Sequence, residues 1–351
     1  MRHEITLKDV AARAGVSRTT ASNVMSGGGR FSEDTRERVH RAMRELGYVY
    51  NRSAASLRTQ RTRTVGVMVT HIASPFHAEL LVGLEAALTA AGFLSLVATT
   101  ADDPARQDTL VAELREQRIA ALAIVPATGT SPGLLEQLAQ ARLPHVLMTR
   151  YLPGVPAPYV GPDDVLGGRL AAEHLLQHGS RSFAYVGGSA GMVSRHDRRR
   201  GIQLGLAAGG MDPVQLQDIP GSSTGPGGLL IGKQLLAGGP LPDAIVCHSD
   251  SVAFGVYRAL RSSGRAQGIR IIGYDNVHNA ALWEPPLTSV ATNPITLGRA
   301  AAQLILEQIG DDPESVADDS TGSFRVLPDG LSRVFEPQLM VRESCGCAAT
   351  W

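Results

Sequence analysis

The segment 5–26 spaces its apolar residues as two short helices joined by a tight turn would. Thr6 suits the N-cap of the first helix, and Asp9 stands three residues later, where it can complete a capping box. Gly15 occupies the turn, where a residue without a Cβ lets the chain bend sharply. Ser17 can cap the second helix. The apolar positions of the two helices are Val10, Ala11 and Ala14, then Ala21, Val24 and Met25.

The second of these helices carries a polar face opposite its apolar one. Arg, Thr and Asn side chains in the first turns of a helix can reach base edges in the major groove of DNA. We therefore predict that the two helices and their caps contact DNA. The residues assigned to this contact are Thr6, Leu7, Ser17, Arg18, Thr19, Thr20, Ser22 and Asn23.

A third predicted helix argues against a plain amphipathic hairpin, which is the alternative interpretation. Residues 27–30 would form a loop, after which Ser32 can cap a helix over Glu33–Leu46. Gly47 stands where a C-cap glycine would end that helix. Val39, Ala42, Met43 and Leu46 would form its apolar stripe.

Residues 5–58 closely resemble the headpiece of the LacI/GalR family of transcriptional repressors. The matching runs read TLKDVAARAGVSRTT, SEDTRERV, AMRELGY and NRSAASLR. The resemblance implies a dimeric repressor that binds an operator and responds to a small effector. It also implies that residues 51–58 form a hinge helix only on DNA, with Asn51, Ala54 and Leu57 as DNA contacts. Leu57 would enter the minor groove, where an apolar wedge can part a base step.

The charge of the chain is divided between its two ends. Residues 1–64 contain 13 Lys and Arg against 6 Asp and Glu, a net charge of +7, so the rest of this neutral chain carries −7. A basic end is suited to gripping phosphates. The sequence shows no signal segment or membrane-spanning run, and its three cysteines form no disulfide framework. We therefore expect a cytoplasmic protein.

The remainder of the chain alternates predicted strands and helices, starting with the apolar run 65–70. This rhythm predicts doubly wound parallel sheets, and the length allows two. Residues 64–342 resemble the periplasmic-binding-protein-like effector domain of the same family. The predicted fold is thus a small all-α helix-turn-helix headpiece followed by two α/β lobes. The predicted parts are a headpiece at 1–50, a hinge and linker at 51–63, a first lobe at 64–161 and 292–322, a second lobe at 162–291 and 323–342, and a flexible tail at 343–351. The chain is expected to cross between the lobes near Gly161, Thr292 and Gly322.

A ligand of such a fold would lie between the lobes, at the carboxyl ends of the strands. Asp275 ends a predicted strand in the run GYDN, which matches the family, although a turn cap is the alternative. The family pattern Ser-x-x-x-Arg-x-x-Gly selects Ser194 and Arg198, and a guanidinium suits sugar hydroxyls or carboxylates. We expect the effector to bridge the lobes, with Arg198 on one side and Asp275 on the other.

Other candidate effector contacts rest on weaker signals. Phe76 and His77 follow the first strand, and Trp283 could cover the pocket as a lid, although each could equally pack in the core. Sugar-responsive members of the family often carry an aromatic residue, Asn and Gln at three contact positions, where this chain has the run 221–223, Ser249 and Thr292. These departures argue against a simple hexose, so the expected effector is sugar-like or another small polar metabolite.

Two alternative functions remain open at this point. The run GGSAG around Ser189 fits the nucleophile elbow of an α/β hydrolase, but the next predicted helix begins too late for one. A solute-binding protein without a DNA role is the other alternative.

Cofactors and assembly are the last expectations. Cys345 and Cys347 supply only two of the four ligands that zinc requires, so we expect no metal site. We also expect no cofactor and no catalytic residue. No leucine heptad follows Ser344, which favours a homodimer on a pseudo-palindromic operator.

Overall fold

The computed structural model describes residues 5–25, 29–48, 62–311, 323–327 and 330–347. The chain forms two compact units, Met1–Thr62 and Arg63–Trp351. Among the described helices, none has the length and apolar character needed to span a membrane. The hinge helix predicted at 51–58, with Asn51, Ala54 and Leu57, lies outside the described residues.

The first unit contains helices α1 (Leu7–Ala14), α2 (Arg18–Met25) and α3 (Glu33–Leu46). Their caps are those predicted: the carboxylate of Asp9 accepts from the backbone N–H of Thr6 at 2.8 Å, and Ser17 Oγ accepts from the backbone N–H of Thr20 at 3.0 Å. Gly15 turns the chain with a φ of 67°. The helix-turn-helix is confirmed, around a core of Val10, Ala14, Val24, Val39 and Ala42.

The second unit begins with the first lobe, in which strands and helices alternate as predicted, except that one unpredicted strand, Tyr159–Pro162, follows the preceding strand without a helix. Its elements in chain order are β1 (Thr64–Val69), α4 (Pro75–Ala90), β2 (Leu94–Thr99), α5 (Pro104–Glu116), β3 (Ala121–Ile124), α6 (Gly133–Gln140), β4 (His145–Met148) and β5 (Tyr159–Pro162). Strand β1 is buried over five of its six residues, which is why its sequence is apolar throughout.

The second lobe repeats the same alternation. Its elements are α7 (Asp164–Gln177), β6 (Phe183–Val186), α8 (Val193–Ala208), β7 (Gln217–Ile219), α9 (Gly225–Ala237), β8 (Ala244–Cys247), α10 (Asp250–Ser262), β9 (Arg270–Asp275) and β10 (Thr288–Ala291). The chain then returns to the first lobe through α11 (Pro294–Ile309), and the last strands are β11 (Phe324–Val326), β12 (Ser332–Phe335) and β13 (Gln338–Met340).

Each lobe is built on one sheet. The first sheet has the order β11-β12-β5-β4-β3-β1-β2 and the second the order β13-β10-β9-β8-β6-β7. All neighbours run parallel except β11–β12 and β10–β13. The carboxyl ends of the parallel strands therefore lie together at one edge of each sheet.

The last crossing between the lobes was predicted in the wrong place. We expected residues 323–342 in the second lobe, but β11 and β12 belong to the first sheet and only β13 joins the second. Strand β12 pairs with β5, and its residues Val334 and Phe335 are buried in the first lobe. The apolar gain of that burial holds β12 in the first lobe, so the chain crosses after Phe335 rather than near Gly322.

The tail was also predicted to be flexible from residue 343 onward. The structure instead places a 3-10 turn at Glu343–Cys345, with Ser344 and Cys345 buried. Ser344 Oγ donates to the carbonyl of Ile271 at 2.7 Å and accepts from the backbone N–H of Thr288 at 2.8 Å. These bonds tie the start of the tail to β9 and β10.

Helices α7 and α8 approach each other backbone to backbone. A Cβ at Gly168 would lie 2.1 Å from the carbonyl oxygen of Arg198, and a Cβ at Gly201 would lie 2.0 Å from that of Val165. Only glycine allows this close approach of the two backbones, and the approach fixes the position of α8 along the axis of α7. The contact sets Arg198 against the first residue of α7, Asp164.

Candidate functional site

A cavity of about 480 Å³ lies where the carboxyl ends of the two sheets face each other. From the first lobe it is lined by Thr70, Asp102 and Arg150, which follow β1, β2 and β4. From the second lobe it is lined by residues that follow β6, β7 and β8 and by the end of β9. This is the position predicted for a ligand in a doubly wound fold.

Six of the seven predicted effector contacts line this cavity, namely Phe76, His77, Ser194, Arg198, Ser249 and Asp275. Trp283 does not, and its prediction as a lid is wrong in this structure. Its ring stacks on Phe254 of α10, with the centroids 4.2 Å apart and the planes inclined by 25°. One face of the indole is therefore packed against another ring, which corresponds to the alternative interpretation of Trp283 as a packed side chain.

Arg198 is the most extensively bonded cation of the cavity. Its Nε donates to Asp164 Oδ1 at 2.9 Å, and its Nη1 donates to the carbonyl of His248. Its guanidinium carbon lies 3.6 Å from the centroid of the Tyr274 ring. Burial lowers the pKa of Arg198, but Asp164, Tyr274 and Asp275 together raise it further, so the net shift is upward and the side chain stays charged.

Asp275 lies on the same side of the cavity as Arg198, which corrects the expectation that they face each other across the cleft. Both belong to the second lobe, and Asp275 Oδ1 lies 3.9 Å from Arg198 Nη2. The predicted second lobe, residues 162–291, already contained both positions, so the two residues could not lie on opposite sides of the cleft. The separation is too long for a direct hydrogen bond, but it leaves room for a ligand oxygen between the two groups.

Asp275 itself is held in a strained and poorly solvated position. Its backbone φ angle is 101°, a value that residues other than glycine rarely adopt. Within the described part of the chain, no donor lies within hydrogen-bonding distance of its carboxylate. Burial raises its pKa well above the usual range, against the opposing charge of Arg198. Buried Asp250 fixes this turn by accepting from the backbone N–H of Val277 at 2.8 Å and from Ser289 Oγ at 2.6 Å.

The first-lobe side of the cavity carries a second Arg–Asp pair that the sequence analysis missed. Arg150 Nη1 donates to Asp102 Oδ1 at 2.6 Å. Asp102 also accepts from the backbone N–H and from the hydroxyl of Thr128, each at 2.9 Å. Burial raises the pKa of Asp102, but Arg150 and these hydrogen bonds lower it further, so the net shift is downward. A charged residue shortly after a predicted strand was the signal that could have identified both residues.

Two of the three histidines that line the cavity, His77 and His248, are neutral near pH 7. His77 Nδ1 lies 3.0 Å from the carbonyl of His71, and burial lowers the pKa of His77 to about 4. His248 Nδ1 lies 3.0 Å from the hydroxyl of Tyr185, and burial lowers its pKa well below the usual value. The cavity thus offers carboxylates and guanidiniums of opposite sign together with many hydroxyls.

Ser249 and Ser189 have different surroundings within the cavity wall. Ser249 caps α10, because its Oγ accepts from the backbone N–H of Val252 at 3.3 Å and donates to the carbonyl of Ser223 at 3.2 Å. Ser189 Oγ lies 3.4 Å from Thr128 Oγ1, and no histidine among the described residues hydrogen-bonds to it. Helix α8 begins only at Val193, as the sequence predicted, so Ser189 does not stand on a nucleophile elbow.

The predicted DNA contacts lie on the surface of the first unit. Thr6, Ser17, Arg18, Thr19 and Asn23 are exposed, and Leu7, Thr20 and Ser22 are partly exposed. The apolar residues of α2 point the other way, into the headpiece core. The helix therefore presents Arg, Thr and Asn on an accessible face.

Comparison with known proteins places the chain in a family. Residues 6–51 match the bacterial regulatory proteins of the lacI family, and residues 172–323 match a periplasmic binding protein-like domain. The chain is 35% identical to the HTH-type transcriptional regulator CelR of Thermobifida fusca, over 98% of this chain and 99% of CelR. It belongs to the LacI family. Another member, the maltose regulon regulatory protein MalI of Escherichia coli, is 30% identical over 87% of this chain and 93% of MalI.

Solved structures of LacI-family members agree with the observed fold. A complex of CelR with cellobiose superposes with a TM-score of 0.69 at 33% identity, covering 97% of this chain and 100% of that one. The lac repressor dimer bound to operator and the anti-inducer ONPF superposes with a TM-score of 0.81 at 24% identity, covering 98% of this chain and 99% of that one. The resemblance predicted from the sequence is confirmed: the chain is a LacI-family transcriptional regulator with a helix-turn-helix DNA-binding domain.

Proposed function

We propose that this regulator represses transcription by binding a pseudo-palindromic operator as a homodimer in the cytoplasm, and that a small effector in the cavity controls its operator affinity. The observation that carries the proposal is the placement of Arg198 and Asp275 in the same cavity as Arg150 and Asp102, which belong to the other lobe. A ligand that touches both pairs would change the relation of the lobes. The regulator binds this ligand without transforming it, because Ser189 lacks the partners of a nucleophile.

The effector is proposed to be a neutral, polyhydroxylated molecule of disaccharide size. A sugar hydroxyl placed between Arg198 Nη2 and Asp275 Oδ1 could accept from the first and donate to the second. The volume of about 480 Å³ lies within the range of small-molecule sites, roughly 300–1,000 Å³. The departures from the usual sugar contacts argue against a simple hexose. Because the related CelR was solved with cellobiose, this disaccharide is the first compound to test.

The proposed division of labour follows the two units. Residues 1–50 read DNA, and residues 51–63 act as hinge and linker, with Leu57 as a minor-groove wedge and Asn51 and Ala54 as further DNA contacts. Residues 64–342 bind the effector and dimerise. The sheet order supports a first lobe that takes residues 323–335 in addition to 64–162 and 292–322.

Two measurements test the effector and the DNA target separately. A thermal-shift screen should show cellobiose raising the melting temperature more than glucose or ribose, because a ligand of the native state stabilises it by mass action. Fluorescence anisotropy with palindromic duplexes should find the tightest binding when half-site centres are about 10 base pairs apart. No shift with any sugar would refute the effector class, and full affinity of a monomer for one half-site would refute the dimeric mode.

Arg18→Ala tests base readout by α2. Arg18 is exposed in the first turn of that helix, so its loss should cost about 1–3 kcal/mol of binding and relax the preference at one base position. The measurement is anisotropy against single-base variants of the operator. Arg36→Ala is the control, since exposed Arg36 lies on α3 and is expected to contact phosphate. An equal loss on all sequences would make Arg18 a phosphate contact too.

A further inference from the structure

Two thiols and two imidazoles converge in the second lobe, away from the effector cavity. Cys345 and Cys347 flank Gly346 near the end of the chain, and His174 and His178 stand one turn apart at the end of α7. Asp164, at the start of α7, accepts a hydrogen bond from Arg198 at the cavity. His174 lies ten residues further along α7, which is roughly 15 Å at a rise of 1.5 Å per residue. The cluster therefore lies at the opposite end of the helix from the effector cavity.

The donor atoms of this cluster lie at ligand-to-ligand distances. One donor atom each of His174, Cys345 and Cys347 lies within 4.8 Å of the other two. Cys347 Sγ is 3.7 Å from His174 Nε2, 3.4 Å from His178 Nε2 and 3.7 Å from His178 Nδ1. The rings of His174 and His178 have their centroids 4.5 Å apart. Cys347 thus lies close to both histidines, and Cys345 joins it in the three-residue group with His174.

These separations match a tetrahedral metal shell. With Zn–S bonds of about 2.3 Å and Zn–N bonds of about 2.0–2.1 Å, a tetrahedron places sulfur and nitrogen about 3.5–3.6 Å apart. The observed sulfur–nitrogen distances of 3.4 and 3.7 Å fall around that value. Two thiolates and two imidazoles in a tetrahedral arrangement are the donor set that zinc favours among divalent ions.

We propose that His174, His178, Cys345 and Cys347 bind one Zn²⁺ ion per chain. Four protein donors leave no open position, so the site is structural and fastens the C-terminal segment to α7. Binding deprotonates the two thiols and releases two protons, which makes zinc affinity increase with pH. The sequence alone counted only the thiols, because the histidines stand about 170 residues earlier in the chain.

The surrounding structure holds the donors in place without the ion. Cys345 is fully buried, and the hydrogen bonds of Ser344 to β9 and β10 anchor its backbone. Gly346 turns with a φ of 82°, which allows the two cysteines to face the same volume. Thr288 Oγ1 lies 3.1 Å from Cys345 Sγ and can donate to it as a thiolate, the kind of support that metal ligands commonly receive.

The test is metal binding by the full-length protein, with Zn²⁺ and Co²⁺ as the probes. After dialysis against Zn²⁺ and then buffer, the protein should retain one equivalent per chain. Co²⁺ should give the intense visible bands of tetrahedral coordination and a thiolate charge-transfer band. Cys347→Ser should weaken zinc binding more than about 100-fold, since losing even an indirect partner of a metal ligand typically costs about 10–100-fold.

Cys247→Ala is the matched control, because Cys247 is buried in β8 and outside the cluster. It should bind zinc as the parent does. Alkylation mapped by mass spectrometry provides a second test in the unaltered chain: Zn²⁺ should protect Cys347 from iodoacetamide, and a chelator should remove that protection. Equal zinc affinity in Cys347→Ser, octahedral Co²⁺ spectra, or a Cys345–Cys347 disulfide in protein purified under reducing conditions would each overturn the proposal.

Discussion

The two sides of the effector cavity both present an arginine beside an aspartate, but the two pairs are built differently. In the first lobe, Arg150 Nη1 and Asp102 Oδ1 are 2.6 Å apart, and Thr128 donates one hydrogen bond to each oxygen of the carboxylate. In the second lobe, Arg198 and Asp275 stand 3.9 Å apart, and Arg198 is bonded to Asp164 instead. In the first pair the carboxylate of Asp102 is hydrogen-bonded by protein groups and forms part of the cavity wall. In the second pair the carboxyl group of Asp275 remains available to a ligand.

This difference predicts that some substitutions affect stability and others affect ligand binding. Breaking the Arg150–Asp102 or the Arg198–Asp164 contact should destabilise the fold. Removing the Asp275 side chain should mainly remove ligand contacts. The backbone supports the same division, because Asp275 keeps a φ of 101° in spite of the strain, which is of order 1–3 kcal/mol for such conformations. Strain of this kind is retained when the surroundings enforce it, most often at ligand sites.

The largest expected effect is on stability, from Arg198→Met. This change leaves Asp164 buried without its counter-ion, and breaking a buried pair in this way typically costs about 3–5 kcal/mol. The free energy of unfolding by urea measures it. Arg150→Met is the control and should cost less, because Asp102 is more exposed and keeps its two bonds to Thr128. Equal losses in the two variants would mean that the more deeply buried Arg198–Asp164 ion pair contributes no more to stability than the Arg150–Asp102 pair.

The next largest effect is on effector binding, from Asp275→Ala. Leaving the partner of a buried hydrogen bond unpaired costs roughly 1–3 kcal/mol, which corresponds to about 5–150-fold in affinity. Calorimetric titration with the sugar that gives the strongest thermal shift measures it, and operator binding without sugar should remain close to that of the parent. If Asp275→Ala bound the sugar as tightly as the parent does, Asp275 would not be a ligand contact.

The smallest effect is a difference in the sign of the pH dependence. The pKa of Asp102 is lowered in the folded state, so its contribution to stability is present above the unfolded pKa of about 3.9 and is lost as the pH falls through the folded pKa. The pKa of Asp275 is raised, so stability falls as the pH rises above about 3.9 toward its folded pKa.

Urea unfolding of Asp102→Asn and Asp275→Asn at several pH values checks these signs. As the pH increases from 4 to 7, Asp275→Asn should gain stability relative to the parent. Asp102→Asn should show its full loss across the same range and a smaller loss below it. Parallel curves for the two variants would mean that the two carboxylates have the same environment.

Local patterns in the sequence were sufficient for the headpiece. The caps at Thr6, Ser17 and Ser32 depend on neighbours three residues away, so spacing alone identified them. The alternation of strands and helices in the lobes followed in the same way, from apolar runs and turn residues. Arg198 and Asp275 were found through the family pattern, and the structure places both in the cavity.

Contacts between distant segments could not be predicted in the same way. Arg150 pairs with Asp102 across 48 residues, and neither position carries a local motif. The lobe assignment of β12 depends on its pairing with β5, which the sequence of residues 323–336 does not encode locally. Trp283 could have been a lid or a packed side chain, and only the position of Phe254 decides between them.

The central claim is that one ligand in the cavity and one operator on the headpiece are thermodynamically coupled. The most direct measurement is reciprocity: the operator dissociation constant with and without saturating sugar, and the sugar dissociation constant with and without saturating operator. The account predicts that both ratios are equal and differ from one. A sugar that binds the cavity, as shown by its loss in Asp275→Ala, yet leaves the operator dissociation constant unchanged would contradict the account.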